Sequence, residues 1–124
     1  MKSLWSLAVI GVFTVGPLYA ACPYPKAPEK LPDGSTATRD EMMEGQKAVK
    51  QYDADMNTYL ACIKNEADTT IAQSGDKLTP EQKLEVQRQE AEKHNAAVDE
   101  LEATAARFNE QVKVFKARGE KSSG

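Results

Sequence analysis

Apolar side chains recur along this chain with a period of seven over two long stretches. Across residues 79–119, Leu84, Ala91, Val98, Ala105 and Val112 fall seven apart. Three residues after each come Gln87, His94, Leu101, Phe108 and Phe115. Eight of these ten are apolar, which predicts one long helix with a coiled-coil-like seam. An earlier stretch repeats the spacing, with Met42, Val49, Met56, Ile63 and Thr70 in one row and Gly45, Tyr52, Tyr59 and Glu66 in the other.

The ends of both stretches carry capping chemistry. Thr38-Arg39-Asp40-Glu41 is a capping box, and acidic residues in the first turn suit the positive end of a helix dipole. Thr79-Pro80-Glu81-Gln82 joins a Thr cap, Pro at the first helical position and a Gln that closes the box. Helices are therefore expected at about 39–72, fading after Ala67, and at 80–118. Lys113, Lys116 and Arg118 lie near the end of the second, and Gly119 stands as its stop. Residues 120–124 are expected as a frayed tail.

A short connection at Ser74-Gly75-Asp76 makes the helices antiparallel neighbours. Folding there sets Met56 near Val98, Tyr52 near Leu101, Val49 near Ala105, and Met42 near Phe108 and Val112. The expected fold class is all-α: an antiparallel two-helix, coiled-coil-like hairpin over residues 38–119, preceded by an extended Pro-rich N-terminal arm at 21–37. At ~1.5 Å per residue the helices run roughly 45 to 60 Å, so the shape is a rod.

Residues 22–32 carry four prolines in eleven positions. That density forbids helix and favours polyproline II, although the same composition would also serve a disordered linker. Cys22, Tyr24 and Leu31 are sticky for a free linker and favour a docked arm. Asp33-Gly34 signals a turn.

Residues 1–20 have the layout of a secretory signal peptide: Lys2 in a positive start, an apolar run from Leu4 to Val15, a break at Gly16-Pro17, then small residues. The run is short for a membrane span. Cleavage after Ala20 is expected, which places the mature chain in the periplasm of a bacterium. A lipoprotein site is the alternative, since Ala20-Ala21-Cys22 ends as a lipobox does, with Tyr19 where an aliphatic residue is usual. Lys2 is the leader's one charged residue; without it the chain's 16 basic side chains become 15 against 19 acidic, a net charge of −4. This mixed, mildly acidic surface offers no attraction to nucleic acid or anionic lipid. No membrane contact is expected unless Cys22 is lipidated.

In an oxidising compartment the two cysteines are expected to form a Cys22–Cys62 disulfide. The reach is adequate. From residue 38 back to residue 22 an extended arm spans about 50 Å, at ~3.1 Å per residue. Residue 62 is only about 36 Å up the helix. Around Cys62, the residues Tyr59, Leu60 and Ile63 widen the apolar stripe beyond a two-helix seam. They are the candidate partner surface, and the arm with Tyr24 is the nearest candidate cover. A bridge closing about forty residues contributes ~4 kcal/mol in the chain-entropy picture, which matters for a hairpin of this size.

Catalytic chemistry is sparse. A single histidine, His94, among scattered Ser and Thr assembles no nucleophile–base–orienter set. Its seam position places it near Tyr59, where a Tyr–His hydrogen bond is expected. A metal site would need Glu90 and His94, four apart, plus Asp55 and Glu66 of the first helix, a set without diagnostic spacing. Neither metal nor cofactor is expected, and the protein is not expected to be an enzyme. Pro25-Lys26-Ala27-Pro28 has the PxxP form, but such ligands act mainly in other compartments.

The series Pro32-Asp33-Gly34, Glu41-Met42, Val49-Lys50, Tyr59-Leu60 with Cys62, His94-Asn95 and Phe108-Asn109 with Phe115-Lys116 resembles small, uncharacterised exported helical-hairpin proteins of Gram-negative bacteria. The resemblance implies an envelope location and a helical hairpin, with no activity attached. The function expected is a non-enzymatic binding or assembly module, with an unknown protein partner or as a homodimer. A lipid-anchored spacer through Cys22 is the alternative, and a metal-handling protein a second one.

Overall fold

The computed structural model describes residues 22–122, so the expected signal peptide at 1–20 and the last two residues of the tail lie outside the described residues. Helix α1 runs Arg39–Ser74 and helix α2 Pro80–Ser122, joined by a 3₁₀ turn at Gly75–Lys77. The two helices pack against each other as an antiparallel hairpin, with no strand among the described residues.

Both predicted caps form. The Thr38 side chain accepts from the Glu41 N–H at 3.1 Å, and the Thr38 N–H donates back to Glu41 Oε2 at 2.8 Å. At α2, the Gln82 N–H donates to Thr79 Oγ1 at 3.2 Å and the Thr79 N–H to Gln82 Oε1 at 2.9 Å. Each box satisfies two amide donors at a helix start. Between the helices, Gly75 has φ 51° and ψ −120°, a conformation that demands glycine.

The helix ends depart from expectation. Instead of fading after Ala67, α1 continues to Ser74, because Ala67 and Ile71 stay half-buried and keep an apolar edge against α2. Gly119 does not stop α2, which continues through Glu120, Lys121 and Ser122. The only positive φ among the described residues is at Gly75, so Gly119 stays helical and makes no left-handed cap.

On α1 the expected rows are buried from Met42 to Ile63: Met42, Gly45, Tyr52, Met56, Tyr59 and Ile63 are in the core, with Val49 half-buried. Thr70 and Glu66 are exposed instead, and the half-buried positions step through Ala67 and Ile71. A straight helix gains on a strict seven-residue repeat by ~20° per heptad, so the facing stripe slides off the rows.

On α2 one row is as expected, with Leu101, Phe108 and Phe115 facing inward. Val98, Ala105 and Val112 are half-buried at its side. The most deeply buried residues belong to a third row, at Ala97 and Thr104, continued by half-buried Gln111 and Arg118. A face three residues wide per heptad suits a helix touching more than one neighbour. The core divides into two clusters. One joins Tyr52, Met56, Tyr59, Ile63 and Ala97, with Leu60 and Leu101 against it. The other joins Ala37, Met42 and Phe108, flanked by Leu31, Val49, Val112 and Phe115. The expected register is kept where Met42 meets the level of Phe108 and Val112.

Candidate interaction site under the proline arm

The third neighbour is the arm. Cys22 and Cys62 form a disulfide with S–S 2.07 Å and a Cα–Cα separation of 5.7 Å, so the arm doubles back along α1 as expected. From there, Cys22 and Ala27 pack on the first core cluster and Leu31 on the second. Tyr24 sets its ring edge-on to Tyr59, centroids 5.0 Å apart and planes at 73°, a favourable aromatic geometry. Further along, a Cβ on Gly45 would lie 2.6 Å from the Pro32 ring, so a glycine in α1 admits the arm at that level.

At its root the arm crosses to α2. Asp33 shapes the crossing: its Oδ1 accepts from the Ser35 N–H at 2.9 Å and the Ser35 hydroxyl at 2.6 Å. Its carbonyl accepts from the Thr36 and Ala37 amides. The bonds from Ser35 hold the Asp33 carboxyl below its ordinary pKa. The Gly34 N–H donates to Gln111 Oε1 at 2.9 Å, and a Cβ on Gly34 would meet the Gln111 carbonyl oxygen at 2.0 Å. Arg118 donates to the Ala37 carbonyl at 2.5 Å and lies 5.1 Å from the Phe115 ring centre. Gln111 and Arg118 of the third row of α2 thus serve the arm's root. Sequence reading missed it because Ala97, Thr104, Gln111 and Arg118 do not register as an apolar stripe.

The arm's own hold is unlike its root's. Among the described residues, the one hydrogen bond made by residues 23–32 is the Lys26–Glu29 ion pair within the arm, and none reaches either helix. Four prolines without N–H groups explain much of this. Residues 22–32 are therefore held by one covalent bond and by apolar contact. Tyr24 is 52 % exposed even so, and both cysteines are half-buried. Glu66 Oε2 lies 3.3 Å from Cys22 Sγ.

Of the predicted partner surface, Tyr59 and Ile63 are buried at 8 % and 4 % exposure, and Leu60 is half-buried against the same cluster. This surface is occupied by the chain's own arm. Beneath it, Tyr52 is 2 % exposed and its Oη has no hydrogen-bond partner among the described residues. Burial, and then the negative charge of Glu100, lift the Tyr24 phenol above its ordinary pKa. The Tyr52 phenol is raised too, first by burial, with Tyr24 and Glu100 adding to it and Arg107 opposing.

His94 is exposed, not paired with Tyr59 in the seam as expected. Toward the hairpin's turn, Lys83, Val86 and Glu90 take the inward face, while Leu84, Gln87 and Ala91 turn outward with His94. The drift that moves the stripe on α1 accounts for this rotation. No group of three or more His, Cys, Asp or Glu side chains that could hold a metal occurs among the described residues, so Glu90, His94, Asp55 and Glu66 do not converge. No helix among them is long and apolar enough to cross a membrane.

No protein-family model matches the chain, and comparison with curated proteins and with solved structures finds no similar protein. The resemblance to small exported proteins therefore stands on sequence motifs alone.

Proposed function

We propose that this protein is an exported, non-enzymatic helical binding or assembly module of the bacterial cell envelope. The observation that carries the reading is the disulfide. The chain's two cysteines are spent on one bond that shapes the molecule, and such a bond persists in compartments outside the reducing cytosol. It follows directly on a segment with the layout of a cleavable leader. The apolar stripe around Tyr59, Leu60 and Ile63, wider than α1 needs to pair with α2 and covered by the chain's own arm, supplies binding chemistry where that cover lifts.

The lipid-anchored alternative requires the Cys22 sulfur as a thioether, and the disulfide uses that same sulfur. The periplasmic reading is therefore favoured over the spacer. Cell fractionation with intact mass measured under non-reducing conditions tests the proposal. A chain beginning at Ala21, in the periplasmic fraction and two hydrogen atoms lighter than its reduced form, is expected. A cytoplasmic or lipid-modified chain would overturn the assignment. Cross-linking in intact cells would then identify what the module touches.

A further inference from the structure

We propose that residues 22–32 form a strap released by reduction of the Cys22–Cys62 bond, and that the face it uncovers docks a proline-rich extended strand of the strap's own kind. This deepens the binding-module reading by naming the ligand class and the regulation of the same surface.

Two features of the structure lead there. First, the anchorage is uneven. The root at Asp33–Ala37 is fixed by hydrogen bonds to Gln111 and Arg118, whereas, among the described residues, 23–32 make no hydrogen bond to either helix, and Cys22, 3.3 Å from Glu66 Oε2, is fixed to α1 by the disulfide. Opening that one bond leaves a segment attached at a firm hinge and held only by apolar contact. Second, the occupant is visible. The surface takes an extended Cys-Pro-Tyr-Pro segment whose aromatic ring stands edge-on to Tyr59, with Ala27 and Leu31 seated further along. A proline-rich strand suits such a face, because it is already extended and loses little freedom on binding. A strand of the same chemistry, from a second protein, fits where the strap lies.

The redox step is thiol–disulfide exchange with a protein dithiol. One thiolate of the dithiol attacks a sulfur of the Cys22–Cys62 bond, forming a mixed disulfide and expelling the other cysteine as thiolate, which takes up a proton. The second thiol of the dithiol then loses its proton and resolves the mixed disulfide. Two electrons pass to Cys22 and Cys62, which end as thiols, and the dithiol ends as a disulfide.

The test uses the full mature chain oxidised, reduced with dithiothreitol, and as the C22S/C62S variant. The probe is a fluorescent peptide of residues 22–32 with serine replacing the cysteine. Reduction is expected to keep the helical circular dichroism while shifting the Ile63 and Leu60 methyl resonances. The peptide is expected to bind the reduced chain at least about tenfold more tightly than the oxidised one (about 1.4 kcal/mol). Adding Tyr24→Ala to C22S/C62S weakens the resident strap and tightens peptide binding further; adding Leu60→Lys abolishes it. Unchanged methyl resonances, equal peptide affinity in both redox states, or loss of the helical signal on reduction would each overturn the proposal. These readings are made on purified protein, so they stand or fall apart from the compartment. A strap that stays docked leaves the envelope assignment intact, and a cytoplasmic chain leaves strap release intact.

Discussion

Replacing Tyr52 by phenylalanine removes a single oxygen from the centre of the core. Tyr52 is 2 % exposed, and its hydroxyl faces no hydrogen-bond partner among the described residues. Leaving a polar group buried and unpaired costs about 1–3 kcal/mol. Against this stands the packing lost with one atom, a few contacts of ~0.1–0.2 kcal/mol each. The balance favours the variant by about 1 kcal/mol, a rise in Tm of roughly 4–8 °C for a domain of this size. The sign is unusual, since most core substitutions destabilise. Urea unfolding followed at 222 nm measures it, with the slope unchanged and the midpoint raised. Alkaline pH provides an independent check. The folded state holds the Tyr24 and Tyr52 protons more tightly than the unfolded chain does. Their contribution is therefore full below about pH 10, the unfolded value, and is lost as pH rises through the higher folded values. Tyr52→Phe should flatten part of that alkaline decline. A variant less stable than wild type by 1 kcal/mol or more would refute the reasoning, because the hydroxyl would then be making a bond worth keeping.

Three further outcomes are expected. Gly34→Ala should destabilise the chain by about 1–3 kcal/mol, the scale of an overpacked contact, since its Cβ would meet backbone of α2; thermal unfolding reads the loss. C22S/C62S should lower stability by up to ~4 kcal/mol, the value for a loop of 40 residues, and calorimetry of the variant beside the oxidised protein checks it. Glu66→Gln should speed reduction of the disulfide by dithiothreitol roughly twofold to fivefold at low salt, because the carboxylate 3.3 Å from Cys22 Sγ opposes thiolate charge there. That difference should shrink near 1 M salt, where screening acts over about 3 Å.

The parts of the fold that were legible in the sequence are those with a strong local or covalent signature. Thr38 with Glu41 and Thr79 with Gln82 mark the two helix starts, and both boxes form. Met42, Tyr52, Met56, Tyr59 and Ile63 combine the right period with large apolar side chains, so their face was readable. Two cysteines allow one pairing. What escaped was tertiary. Ala97 and Thr104 are among the most deeply buried residues of α2, and their small or polar side chains hide them from a search for apolar rows. Gln111 and Arg118 look like solvated residues and instead hold the arm's root. His94 satisfied the seven-residue count yet faces solvent, because the period of a real helix drifts from the count over several turns. Within the candidate site, the stripe at Tyr59, Leu60 and Ile63 could be named in advance. That the chain's own arm lies on it was readable only as one option for a segment whose prolines suit a free linker equally well.

The position of the disulfide also sets how tension passes through the molecule. A pull applied ahead of Cys22 is transmitted by the sulfur bridge directly to the middle of α1, 40 positions further along the chain. The arm and α1 up to Cys62 lie inside the bridged loop and carry none of that force, so a load applied at Cys22 reaches the shaft of the rod and leaves the capped start of α1 at rest.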